Sequence, residues 1–406
     1  MSDPFARGFF NNWWITARNV NLIKNGPGTT DVHGDRTSTN GATTIETSQQ
    51  HTNQANQEAG QNWGWFILRL VLGLSPLLTC AAALELFAWR TGETMPMWLV
   101  AKWQSDAPNR AWRGGDGRSY LTYKIARVRE LKPDIVALGS SRANSFRGDV
   151  FAPYSFYNAG LTAWTFNHYR RFVELMTKDG YAPKVMVVNF DYWMFTPDFD
   201  RHWTGRFYEQ PTTHFADLKI IVDQLRKDPL VLWRRMFLTD HLRGLHGVMS
   251  GDGFNSDGSL FGRPGTPDSN RLLNDGMQVG TNPIELSDHI SPGEVQAFQR
   301  FVAVAKAHQI ALIAIQVPMY AKILNGLNNS PKAGVWRELR SPQWQRWFQE
   351  MGVIFFDFAD LPGFRDKPEY FIDSIHPDAR IMEHVMKIVL ADPRVQAVLP
   401  KPEGDT

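Results

Sequence analysis

Lys132-Pro133-Asp134-Ile135-Val136-Ala137-Leu138-Gly139-Ser140-Ser141-Arg142 is the stretch that decides how this 406-residue chain folds. Its apolar run, residues 135–138, is too short for a helix and reads as a buried central strand. Gly139 permits a tight turn at the carboxyl end of that strand and lifts the following hydroxyls to the sheet's rim, where open α/β sheets bind ligands. A serine there is a weak nucleophile unless a histidine accepts its proton and a carboxylate holds the histidine. Such a pair stands in Phe371-Ile372-Asp373-Ser374-Ile375-His376-Pro377-Asp378. At that spacing one turn of backbone can point the Asp373 carboxylate at the His376 imidazole. Ser141, His376 and Asp373 are therefore expected to converge as a hydrolase-type triad. Each signal is common alone; together, each at the end of a strand pattern, they become specific.

The surrounding sequence alternates in the same style. Residues 121–131 suit a helix ahead of the central strand. Residues 155–157 read as a second strand running into Asn158-Ala159-Gly160, and 164–177 as a helix stopped by Gly180. Residues 185–188 form a third strand leading into Asn189-Phe190-Asp191-Tyr192-Trp193. A fourth covers 310–317 and ends at Pro318, a fifth covers 353–358, and 379–390 closes as a helix. Strands alternating with helices imply an α/β fold with a parallel sheet wound by right-handed crossovers. The insertion 196–290 breaks the rhythm. Its first half is charged and aromatic, with helix candidates at 218–225 and 231–242; residues 251–282 are loop-like, full of Gly, Asp, Asn and Ser. An insertion of this size is expected to form a cap over the site. Trp203, Phe207, Tyr208 and Trp233 within it could stack on sugar rings or fill core.

The amino-terminal part divides into three. Residues 1–24 form an aromatic amphipathic segment: Phe5, Phe9 and Trp13 share one helical face, and Arg7, Arg18 and Lys24 add positive charge. It reads as a helix that docks a cytoplasmic partner or lies on a membrane. Residues 25–61, rich in Gly, Thr, Asn and Gln, are expected to be a disordered tether spanning about 35 Å on average. Residues 63–89 are uncharged through 70–84 and bracketed by Trp63, Trp65 and Trp89, which suits a transmembrane anchor with Pro76 tolerated as a kink. Basic residues flank both ends, so charge does not set the orientation.

Composition narrows the function. Forty-three Lys and Arg against 41 Asp and Glu leave a net charge of +2, and no basic stripe interleaves with aromatics, which argues against nucleic acid. The single cysteine, Cys80, excludes an internal disulfide and zinc sites built on paired cysteines. His168, His202, His214 and His241 show no ligand spacing. No glycine-rich loop lies between a strand and a helix. No metal, nucleotide or other cofactor is expected.

The ordered set Gly139-Ser140-Ser141, Asn158-Ala159-Gly160, residues 189–193 and Asp373-x-x-His376 resembles the SGNH hydrolase superfamily, the GDSL esterase-like fold. It looks most like the membrane-anchored branch acting in bacterial alginate O-acetylation and teichoic-acid D-alanylation. The resemblance spans residues 135–390 and leaves the insertion unmatched. It implies a flavodoxin-like sheet in order 2-1-3-4-5, within a domain set at 115–395. It also implies that Ser141 attacks an acyl carbonyl while His376 shuttles the proton and Asp373 orients His376. The oxyanion hole it implies uses the amides of Ser141 and Gly160 and a donor from the third block, with Gly139, Ser140, Arg142 and Asn158 in support. The third block departs from the pattern, for Asn189 stands at the usual glycine and Asp191 at the usual asparagine. An ionised Asp191 would repel an oxyanion, so it must be protonated, turned toward a cation such as Arg142, or replaced in its role by Asn189. The resulting expectation is an inner-membrane, single-pass O-acetyltransferase with its domain in the periplasm. It would act on an exported polysaccharide and receive its acyl group from a membrane donor protein or a polysaccharide synthase complex. The same triad would serve a carbohydrate esterase, and a catalytically weak scaffold that binds polysaccharide or a synthase complex is the alternative from another class.

Overall fold

The structure, a computed structural model, describes residues 42–115, 119–203, 222, 226, 241–261, 286–373 and 375–401, with side chains from residue 63 onward except that of Met249. The chain divides into two compact units, Met1–Leu74 and Ser75–Thr406.

Helix α1, Ala42–Thr91, is followed by α2, Met97–Ser105; α1 is continuous and contains Pro76. Its part from Trp63 to Thr91 has 29 residues and is long and apolar enough to cross a membrane. At 1.5 Å per residue it exceeds the hydrocarbon thickness of roughly 30 Å. Most of its large apolar side chains are not packed in a core: Leu77 and Leu86 are 67% and 68% exposed. Residues 42–61, expected as a disordered tether, are helical instead. Propagating a helix from an existing one costs far less than nucleating it, and Ala, Gln and Glu at 42–59 offer no interruption before Gly60. The aromatic segment 1–24 lies outside the described residues.

The second unit is built on a five-stranded parallel sheet. Its strands are β2 (Ile135–Gly139), β3 (Phe156–Gly160), β4 (Val185–Asn189), β8 (Ala311–Gln316) and β9 (Val353–Asp357), in spatial order β3-β2-β4-β8-β9. In sheet numbering that is 2-1-3-4-5. Both faces are covered, which is why these strands read as near-continuous apolar runs. Alternate side chains still part company. Val136 and Leu138 pack with α3 (Tyr120–Leu131), α4 (Phe166–Thr177), α5 (Pro292–Ala307) and α6 (Pro342–Glu350). Ile135 and Ala137 pack with Ile381, Val385 and Val389 of α7 (Ala379–Ala391) on the other face.

Residues 251–261, read as loop, instead contain a hairpin of β6 (Gly253–Phe254) and β7 (Leu260–Phe261). It joins β1 (Ala111–Trp112) and β5 (Leu242–Arg243) in a small second sheet. Aromatic burial outweighed the turn-rich composition, for Phe254 packs against Tyr120 and Tyr123 under Trp112. The hairpin turn covers the free edge of β3: Asn158 N donates to Asp257 O at 2.7 Å, and the buried Lys124 amine donates to both Asn158 O and Gly258 O. Unpaired sheet edges invite wrong pairing, and this contact closes one. The described part of the insertion thus guards the flank of the sheet. The helix candidates 218–225 and 231–242, and Phe207, Tyr208, His214 and Trp233, lie largely or wholly outside the described residues.

Candidate active site

The chain leaves β2 for β3 on one side and later β4 on the other, so the carboxyl ends of β2 and β4 form the switch point where such sheets bind ligands. There Gly139 ends β2. A Cβ on it would come within 2.6 Å of Asn189 Cβ and 3.0 Å of Ala143 Cβ, so only glycine lets the two strand ends and the following turn approach so closely. Ser141 then opens a 3-10 turn, Ser141–Ser145, with Ser140 as its cap. Side chains three apart eclipse on such a turn, and the first residue is left at its mouth.

Ser141 Oγ stands 2.6 Å from His376 Nε2. His376 Nδ1 stands 2.7 Å and 2.8 Å from the two carboxylate oxygens of Asp373. The pair comes from a tight loop before α7 whose shape Asp373 fixes, since its Oδ1 also accepts the amides of Ile375 and His376 at 3.0 and 2.9 Å. The loop closes on itself through Ile372 N to His376 O at 2.9 Å and a bridge between Phe371 and Pro377. Asp378 then caps α7 by accepting the amides of Arg380 and Ile381. Burial alone would push the Asp373 carboxyl up, but the hydrogen bond and charge of His376 and the two loop amides outweigh it and hold it at about 2.

Asp191 is wholly buried and ion-paired with Arg142, one of the dispositions expected for it. The Arg142 guanidinium is also spent on the carbonyls of Ile375 (2.9 Å) and Val317 (2.8 Å). Its far face meets the half-buried Trp193 ring at 5.3 Å. Asn189 is wholly buried as well: its Oδ1 lies 3.0 Å from Ser140 Oγ and its Nδ2 donates to Asp191 at 3.3 Å. Asn158 supports the turn that carries Ser141, donating from Nδ2 to Ala143 O and Phe146 O at 2.8 Å each.

The oxyanion donors differ from expectation. Gly160 is still part of β3, paired with Gly139, and its amide donates to Asn158 Oδ1 at 2.7 Å. Asn189 and Asp191 are turned into the buried network beneath the rim. Of the expected donors, the Ser141 amide makes no hydrogen bond among the described residues. Each missing donor lowers such a site's rate by about 10²–10³.

Beyond the relay, Trp164, following β3, stacks with Trp203 at 6.0 Å between ring centres and 9° between planes, both half-buried. His168 is buried, and desolvation pushes its imidazole down to about 4. No group of three His, Cys, Asp or Glu among the described residues could hold a metal ion. Sequence reading passed over Ser145, whose hydroxyl donates to Pro377 O at 2.7 Å. The signal was its place four residues after Ser141, and it needed the knowledge that the turn is 3-10. Neither a scan against protein-family models nor a search of curated proteins returned a match.

Proposed function

We propose that this chain is a membrane-anchored O-acyltransferase of the SGNH type, which moves an acetyl group onto an exported bacterial polysaccharide through a Ser141 acyl-enzyme. The observation that carries the reading is the contact of 2.6 Å between Ser141 Oγ and His376 Nε2, with Asp373 on the other ring nitrogen. In the first step Oγ bonds to the acyl carbonyl as its proton passes to His376. The tetrahedral oxyanion meets the Ser141 amide, and His376 returns the proton to the leaving group. In the second step a sugar hydroxyl gives its proton to His376 as its oxygen bonds to the acyl carbon, the bond from that carbon to Ser141 Oγ breaks, and His376 returns the proton to Oγ. Water in the sugar's place makes the same site an esterase. The apolar helix Trp63–Thr91 supports membrane anchoring. The inner membrane, a periplasmic face and a membrane acyl-donor protein or synthase complex belong to the proposal through the resemblance alone.

Incubating the full chain in detergent with an activated acetyl ester, with and without an oligosaccharide, tests the reading. Acetylated sugar is the expected product, and free acetate alone would remove the transferase reading in favour of the esterase. The engaged amides of Gly160 and Asn189 favour a second reading, a scaffold that binds polysaccharide or a synthase complex with little turnover. Polymer acylation unchanged in cells carrying Ser141→Ala would select it.

A further inference from the structure

The bonds inside the 371–378 loop settle how Asp373 faces His376, but they do not settle how His376 faces Ser141. Apart from the Ser141–His376 contact itself, two side-chain bonds cross from the nucleophile's turn to this loop among the described residues. Arg142 Nε donates to Ile375 O at 2.9 Å, and Ser145 Oγ donates to Pro377 O at 2.7 Å. The two accepting carbonyls belong to the residues immediately before and after His376. Both donors sit on the five-residue turn that begins with Ser141. The backbone that carries the imidazole is therefore gripped on either side of His376 by the element that carries Ser141. Arg142 is itself immobilised by Asp191 and Val317 O.

We infer that Arg142 and Ser145 are positioning residues that fix the His376–Ser141 distance, so that general-base catalysis depends on a serine hydroxyl bonded to the backbone beside the histidine. The inference rests on the serine-nucleophile reading above. A misplacement of about 1 Å of a catalytic group can cost about 10²-fold, and a lone carbonyl bond removed from one side of the histidine permits a part of that.

Ser145 is the testable member, since Arg142 belongs to a buried ion pair whose loss can prevent folding. The full chain in detergent is treated with a fluorophosphonate probe. Ser141 Oγ bonds to phosphorus, fluoride leaves with the P–F pair, and the hydroxyl proton goes to His376. The labelling rate is followed by mass spectrometry of the Ser141 peptide, well below the melting temperature. Ser145→Ala is expected to slow labelling about tenfold or more with an unchanged Tm, and Ser145→Thr, which keeps the hydroxyl, to restore it. Labelling of Ser145→Ala at the wild-type rate, or no recovery in Ser145→Thr, overturns the clamp while leaving the nucleophile in place. Wild-type protein that labels no faster than Ser141→Ala overturns the hydrolase reading and the clamp with it.

Discussion

Asp373 has a structural role in its loop and, in the proposed chemistry, a second role toward His376, and pH separates the two. Its carboxyl is held at about 2 despite partial burial, against an ordinary value near 3.9. A carboxyl lowered on folding contributes stability that is whole above the unfolded value and is lost as pH falls through the folded one. The Tm gap between wild type and Asp373→Asn should therefore be full at neutral pH and narrow only below about pH 4, closing toward about pH 2. A gap already closed at pH 6 would contradict the relay geometry. At neutral pH the same variant should lose about 10³–10⁴ in kcat, because the amide stabilises the wrong ring tautomer. The triad was legible because each member adjoins a chain element readable from sequence: Ser141 after the Gly139 turn, and Asp373 with His376 just before α7. The disposition of Asp191 was legible only as alternatives, since the choice of Arg142 as partner depends on which side chains the turn buries.

At the scale of elements, all five parallel strands follow from short apolar runs, with boundaries moved by at most three residues, while their order was expected from the family resemblance. The small sheet was hidden because its strands are two residues long, shorter than any alternation pattern can reveal. Its hairpin turns on Gly258, at φ +80, where a Cβ would meet Asn158 O at 2.1 Å. Gly258→Ala should therefore destabilise the fold by about 1–3 kcal/mol through backbone strain and retreat from the β3 edge. Urea unfolding gives the first, and faster amide exchange at Asn158, whose N–H meets Asp257 O, gives the second. An unchanged midpoint would mean that the hairpin does not seal the edge.

At the scale of the whole molecule, α1 exposes Trp63, Phe66, Leu72, Leu78 and Leu86. Exposed apolar surface of this extent marks a membrane or partner interface. The full chain should stay with cell membranes through salt and alkaline carbonate washes and come off in detergent; release by carbonate would point to a peripheral contact instead. The long apolar helix was legible from its uncharged run and flanking tryptophans, while the helical extension back to Ala42 was not, because its composition alone resembles a tether. The measurement bearing most directly on the whole account is the trapping of the acyl-enzyme. Full-length protein is mixed with an activated acetyl ester, quenched in acid and digested. The account predicts the mass of one acetyl group on the peptide containing Ser141 in wild type, and its absence in Ser141→Ala and His376→Ala. Acetyl transfer that proceeds equally in all three proteins, with no modified Ser141, would contradict it.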